Sequence, residues 1–372
     1  MRNFKNAKRI VIKIGTSTLT TNTGINSDYI KSLAQEVVRL IENDRQVLIV
    51  SSGAIGMGAK QLRLSGPVTD TKVRQACASI GQPLLMHEYH KAFSDVGLTV
   101  SQVLLTAEVL SKRKPYVNLK NAIETLLRLG VVPIINENDC VATDEIGTAF
   151  GDNDKLSALV ASKVDADLLI MLTDIDALYD KDPRKNDDAK PVRVVEEITD
   201  ALIKAAGKRG STHSTGGMKT KLKAAEITAT AGCKMLLAHG QEPHIIQKIM
   251  DGQEIGTLFL PKECKLSNRS RWILHSKPEG TITIDDGATA AIGRNKSLLP
   301  SGVTQVEGTF PVGAVVMINK AAKAVTSLSS DELKKVAGQH SANIRDLLGS
   351  GRRDVVAIPE DIVFLETNEK KD

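Results

Sequence analysis

Short apolar runs recur along the first 260 residues, each separated from the next by a stretch with helical spacing. The runs at 9–14, 46–50, 98–105, 131–135, 167–172 and 234–238 are rich in Val, Ile and Leu. Their length suits strands, and their near-continuous apolarity suits strands covered on both faces. Between them, 27–43, 70–92, 116–129 and 218–230 read as helices, with Asn26 or Ser27 to cap the first and Gly130 to end the third. A parallel strand pair needs a long crossover, and a helix supplies it. The predicted class is therefore α/β: an α/β/α sandwich around a mostly parallel central sheet.

The pattern changes after residue 260. Residues 261–277 are polar and basic, hold the chain's one tryptophan, Trp272, and read as a linker. From Pro278 the signals are short strands at 282–284, 303–306 and 315–318, glycine turns, and one helix at 331–337. That reads as a small β-rich domain. The expected divisions are 1–260 for the large domain, 261–277 for the linker, 278–362 for the small domain and 363–372 for a polar tail.

Composition narrows the class. Hydrophobic residues make up 41% and charged residues 25%, as in ordinary soluble proteins. Residues 1–8 are polar and basic and do not read as a secretory leader, and no apolar stretch is long enough to span a bilayer. Cys77, Cys140, Cys233 and Cys264 are scattered without a C-x-x-C pair, so thiols in the cytoplasm are expected rather than a disulfide frame. The seven histidines lack zinc-ligand spacing. Net charge is +5 overall, and residues 278–372 hold 11 Lys and Arg against 13 Asp and Glu, a net of −2. That balance argues against a nucleic-acid partner, which needs a basic surface.

Several polar clusters stand where strands end. Lys13 lies inside the first apolar run, close to Gly15; a lysine there needs a partner for its ammonium, unless it snorkels to the strand edge. Ser51-Ser52-Gly53-Ala54-Ile55-Gly56-Met57-Gly58 links a strand to a helix through small residues. Such a loop lets backbone N–H groups approach an anion, or simply makes a tight turn. Asn136-Glu137-Asn138-Asp139 crowds four polar residues at a strand's C-terminal end, the edge where open α/β sheets bind ligands. Gly151-Asp152-Asn153-Asp154-Lys155 sets two carboxylates and an amide before a helical pattern. The two carboxylates would repel each other without nearby cations, and Lys13 and Lys221 are the candidates. Thr173-Asp174 ends another strand, and Thr215-Gly216-Gly217-Met218-Lys219-Thr220-Lys221 opens a basic helix suited to phosphate at its N-terminus.

Taken in order, these segments resemble the amino-acid kinase superfamily and, within it, the glutamate 5-kinases. The matching stretches are Val11-Ile12-Lys13-Ile14-Gly15-Thr16-Ser17, Ser51-Ser52-Gly53-Ala54-Ile55, Ile134 through Asp139, Gly151 through Asp154, Leu172-Thr173-Asp174 and Thr215 through Lys221. Ser51 is a mild variation where another small residue is common. The stretch from Gly280 through Asp285-Asp286-Gly287-Ala288 to Gly338-Gln339-His340-Ser341 resembles a PUA domain.

The resemblance implies ATP-dependent phosphorylation of the γ-carboxylate of L-glutamate, the first step of proline biosynthesis, with Mg²⁺ held chiefly by phosphate oxygens and water. By the same resemblance, Lys13 and Lys221 flank the transferred phosphoryl group and Asp154 lies between them. Ser52, Gly53, Asp139, Asp152 and Asn153 match glutamate-binding positions. Lys13, Thr173, Asp174, Thr215, Gly216, Gly217, Met218, Lys219, Thr220 and Lys221 match the nucleotide site. The family further implies inhibition by proline, a dimer or tetramer, and a glutamyl-phosphate reductase as partner. Two alternatives stay open at this stage: another kinase of the fold acting on acetylglutamate, aspartate or UMP, and an RNA-binding PUA protein.

Overall fold

The computed structural model describes residues 2–21, 24–141, 153–181, 183, 186–199, 202–203, 217–262, 266–340, 344, 347–348 and 354–365. The chain divides into two compact units, Met1–Lys265 and Leu266–Asp372.

The first unit is built on an eight-stranded sheet. In chain order its strands are β1 (Arg9–Ile14), β2 (Gln46–Val50), β3 (Val100–Leu105), β4 (Val132–Glu137), β5 (Leu168–Thr173), β6 (Val194–Val195), β7 (Lys234–His239) and β8 (Thr257–Phe259). They lie side by side as β6-β8-β7-β5-β1-β2-β4-β3. All neighbours are parallel except β7 and β8. The mostly parallel α/β sheet expected from the apolar runs is thus present. Its helices include α1 (Ser27–Glu42), α2 (Ala54–Gln61), α3 (Thr71–Ser94), α4 (Arg113–Arg128), α5 (Asn153–Lys163) and α6 (Met218–Thr230). None among the described residues is long and apolar enough to cross a membrane.

The period of two along β1 assigns its side chains to two layers. Ile10, Ile12 and Ile14 join one core with Ile30, Leu33 and Val37 of α1 and Leu85 and Tyr89 of α3. Val11 joins the opposite core with Leu156 and Leu159 of α5 and Leu222 and Ala225 of α6. Lys13 has the parity of Val11 and therefore points toward the α5 and α6 layer. β1 has β2 on one side and β5 on the other, so the chain runs outward in both directions from the β1/β5 pair. Strand order reverses there, and loops leaving the carboxyl ends diverge to leave a crevice.

Helices α2 and α3 cross at glycines. A Cβ on Gly58 would lie 1.8 Å from the Cys77 carbonyl oxygen, and one on Gly81 would lie 1.8 Å from that of Ala54. Gly58 is therefore explained by helix packing. Gly53 has a left-handed backbone with φ of +99° and opens α2. Asn26 caps α1, its side chain accepting from Tyr29 N. α4 begins at Arg113, a turn before the expected start, because Pro115 is tolerated in a first helical turn. A small antiparallel pairing joins Leu178–Tyr179 to Pro191–Val192.

The second unit carries a five-stranded sheet of β9 (Gly280–Ile284), β10 (Val303–Gly308), β11 (Val315–Ile318), β12 (Ala322–Val325) and β13 (Ile362–Phe364), ordered β10-β9-β11-β12-β13. Its helices are α7 (Asn268–His275), α8 (Asp286–Gly293) and α9 (Ser330–Val336). The β-rich character expected of this region holds, but two local expectations are corrected. Residues 268–275, read as linker, form α7 and bury Arg271, Trp272 and Ile273. Ser267 caps the helix, and Lys323 Nζ donates to the carbonyls of Leu274 and Ser276 at its other end, at 2.7 and 2.8 Å. Arg269 ion-pairs with Asp361. Of its three strongly apolar residues only Trp272 and Ile273 are buried, and an arginine supplies the rest of its buried face. Residues 363 and 364, read as tail, pair with β12.

Candidate active site

Three charged side chains meet at the carboxyl end of β1. Lys13 Nζ lies 2.6 Å from Asp154 Oδ1, and Lys221 Nζ lies 3.1 Å from Asp154 Oδ2. Thr220 Oγ1 also donates to Asp154 Oδ2, at 3.0 Å. All three charged residues are buried, Asp154 completely. Asp154 stands in the first turn of α5 and Lys221 in the first turn of α6, so two helix N-termini converge on the end of β1. Lys219 and Lys223 are exposed, so of the three lysines spaced two apart on α6 only Lys221 turns inward.

Burial by itself would raise the Asp154 carboxyl. The charges and hydrogen bonds of Lys13 and Lys221 outweigh that and hold it well below the usual carboxylate range. Among the described residues, two ammonium groups face this one carboxylate in a nearly dry place. Two ammonium groups beside two helix N-termini suit an anionic ligand.

A second cluster, of neutral polar groups, lies beside β2 and β4. Asn153 Nδ2 donates to Ser51 O at 2.5 Å, to Ser52 Oγ at 3.0 Å and to Asn136 Oδ1 at 2.9 Å. Asn136 Nδ2 donates to Gln82 Oε1 at 2.8 Å, and Ser51 Oγ shares a hydrogen bond of 3.0 Å with Tyr89 OH. Ser51, Ser52, Gln82, Tyr89 and Asn136 are all buried. The N–H groups of Asn153 are spent within this network, so the group it offers outward is Oδ1, an acceptor.

Acidic groups flank that network at the end of β4. Burial, and then Asp139, push Glu137 up to about 7, with Arg74 opposing. Burial likewise raises Asp139, again against Arg74. Glu137 Oε1 is buried and has no hydrogen-bond partner among the described residues. On the other side of β1, Thr173 ends β5 and its Oγ1 donates to Asp174 Oδ1 at 2.8 Å. Thr173 pairs in register with His239, and its carbonyl accepts from Gly240 N at 2.8 Å.

The structure thus brings Lys13, Asp154, Thr220 and Lys221 into one group, and joins Asn153 to Ser52, with Gly53 next in the chain. Thr173 and Asp174 stand at the end of the adjacent strand, and Gly217 and Met218 at the start of α6. Asp152, Thr215 and Gly216 lie outside the described residues. Gln82, Tyr89 and Arg74 were not singled out from the sequence. The one signal available was a set of polar residues inside an otherwise helical apolar pattern.

Comparison with known proteins follows the same division of the chain. The model of the amino acid kinase family matches residues 8–239, and that of the PUA domain matches residues 280–348. The chain is 45% identical over 375 residues to a glutamate 5-kinase of Methanosarcina mazei, covering 98% of this chain and 97% of the relative. It is 43% identical over 370 residues to a glutamate 5-kinase of Caldanaerobacter subterraneus subsp. tengcongensis, with 97% and 99% covered. A glutamate 5-kinase of Geobacter sulfurreducens is 44% identical over 366 residues, with 96% and 98% covered.

Proposed function

The chain belongs to the amino acid kinase family, and from that premise we propose that it transfers the terminal phosphoryl group of ATP to the γ-carboxylate of L-glutamate. Relatives of that activity at about 45% identity over nearly the whole chain support the reading. The observation that carries it is the buried Lys13–Asp154–Lys221 group at the strand-order reversal, which sets two ammonium groups beside two helix N-termini.

The chemistry follows from charge. The γ-carboxylate has an unperturbed pKa of about 4.3 and is ionised at neutral pH, so no general base is required. One of its oxygens attacks the γ-phosphorus, a new P–O bond forms, and the bond to the β–γ bridging oxygen breaks. ADP leaves with the electron pair, and the product is an acyl phosphate. The obstacle is an anion approaching a polyanion. Lys13 and Lys221 offset that repulsion from opposite sides of the moving group, and Asp154 holds the two ammonium groups in place. Ser52, Gly53, Asp139, Asp152 and Asn153 are assigned to glutamate. Thr173 and Asp174, with 215–221, are assigned to the nucleotide.

Among the described residues, no three His, Cys, Asp or Glu side chains gather as a metal cage. Mg²⁺ would enter with the nucleotide, since this ion keeps its waters and phosphate ligands. MgATP is then the co-substrate, and the ion neutralises phosphate charge.

Three finer parts of the reading rest on the family alone: inhibition by proline, assembly as a dimer or tetramer, and a reductase that consumes the labile product. A cytoplasmic setting accords with the sequence. The test is a coupled assay of ADP release with L-glutamate, N-acetylglutamate, L-aspartate and UMP, with hydroxylamine trapping of the acyl phosphate. Glutamate alone should drive turnover. A preference for another acceptor, or no hydroxamate with glutamate, would refute the proposal.

A further inference from the structure

The neutral network beside β2 and β4 has a direction. Asn136 Oδ1 accepts twice, from Asn153 Nδ2 and from Glu137 N, each at 2.9 Å. Its Nδ2 must therefore donate onward, and it does so to Gln82 Oε1. Gln82 is thereby obliged to turn its oxygen inward and its Nε2 outward. Nε2 makes no hydrogen bond among the described residues. Gln82 as a whole is 8% exposed. At the opposite end, Asn153 Oδ1 accepts nothing among the described residues. Three amides in series thus end in an acceptor at one side and a pair of N–H donors at the other. Each bond in such a series polarises the next, which strengthens the terminal donor.

An α-amino acid head has the complementary pair of groups, an ammonium that donates and a carboxylate that accepts. We propose that Gln82 is a substrate-binding residue whose Nε2 donates to the α-carboxylate of the amino-acid acceptor, with Asn153 Oδ1 at the other end of the relay accepting from its α-ammonium. The inference rests on glutamate being the acceptor, as proposed above. It adds a specificity role for a side chain of α3. It also explains why a polar residue is buried there, two turns from Arg74 on α3. A hydrogen bond to a charged group in a nearly dry site is worth about a tenfold or larger factor in binding.

The test uses the full chain, L-glutamate, and its α-amide, isoglutamine, which keeps the γ-carboxylate but loses the α-carboxylate charge. Gln82→Glu keeps an oxygen for Asn136 Nδ2, so the network and thermal midpoint should survive. It faces the substrate carboxylate with another carboxylate. The KM for glutamate should rise about tenfold or more, the KM for ATP should stay within about twofold, and the preference for glutamate over isoglutamine should collapse or reverse. An unchanged glutamate KM, or equal shifts for glutamate and isoglutamine, would overturn the proposal. A purely structural Gln82 predicts one of those two results. Should Gln82→Glu fail to fold, Gln82→Met removes the donor at similar volume. The ratio of the two KM values should then fall toward one, and an unchanged ratio would also overturn the proposal. Failure of the unmodified protein to phosphorylate glutamate would instead refute the proposed function, before any variant is compared.

Discussion

Replacing Asp154 with Asn removes one negative charge and leaves two ammonium groups facing each other in a buried site. The two ammonium nitrogens lie 2.6 Å from Oδ1 and 3.1 Å from Oδ2 of one carboxylate; the repulsion can be sized for unit charges at a separation on the order of 5 Å. At an effective dielectric constant of about 20, that repulsion is about 3 kcal/mol. Removing one partner from a buried ion pair costs about 3–5 kcal/mol in general, the same order. For a unit of this size about 2 °C is lost per kcal/mol, so the thermal midpoint should drop by about 6–10 °C. Circular dichroism melts of the two proteins measure this directly. Turnover should fall by about 10²–10³, because two misplaced cations no longer match the phosphoryl group. The sign of the pH dependence is set by the depressed folded value of Asp154. Its stabilisation is fully present above the unfolded carboxylate value of about 3.9 and is lost as pH falls below it. The gap between the two proteins should therefore be constant from pH 8 to about pH 5 and shrink only below about pH 4. Sulfate or nucleotide should restore more of the midpoint in the variant than in the parent, since an anion replaces the missing charge. A midpoint within about 2 °C of the parent, with turnover within tenfold, would refute the electrostatic reasoning.

Other perturbations probe separate parts of the molecule. Lys221→Ala should lower kcat by about 10²–10³ with little change in the glutamate KM, and a near-normal kcat in steady-state assays would remove Lys221 from the chemistry. Gly81→Ala should lower the thermal midpoint and weaken glutamate binding together, because its Cβ would lie 1.8 Å from the Ala54 carbonyl oxygen, one residue after Gly53. A parental melt would show that the α2–α3 crossing yields more easily than its geometry indicates. Glu137 titrates near pH 7 in the folded protein, above the unfolded value of about 4.3, so its ionisation penalises folding as pH rises through that window. Glu137→Gln should therefore gain stability relative to the parent between pH 5 and pH 8 in denaturant titrations, and an equal difference at both would contradict the burial argument.

Much of this protein follows from its sequence. Near-continuous apolar runs can be satisfied only by strands covered on both faces, and helical spacing between them leaves a parallel sheet as the outcome. Lys13 in a buried run called for a partner unless it snorkelled to the strand edge, and the acidic turn at 152–154 called for cations. Other features depend on which segments meet in space. Asp154 and Lys221 are 67 positions apart, and no local pattern states that the Lys221 ammonium donates to the Asp154 carboxylate. The close crossing that requires Gly58 and Gly81 could not be told from a phosphate-binding loop, since both call for small residues. Helix α7 was hidden because an arginine stem, rather than an aliphatic side chain, completes its buried face. The inward turn of the Asn153 amide, and the outward N–H groups of Gln82, come from counting donors and acceptors across four chain segments. Periodicity records which side of an element avoids water. Which polar group must donate to which is decided only when the segments pack, because a hydrogen bond is satisfied by position and not by order along the chain.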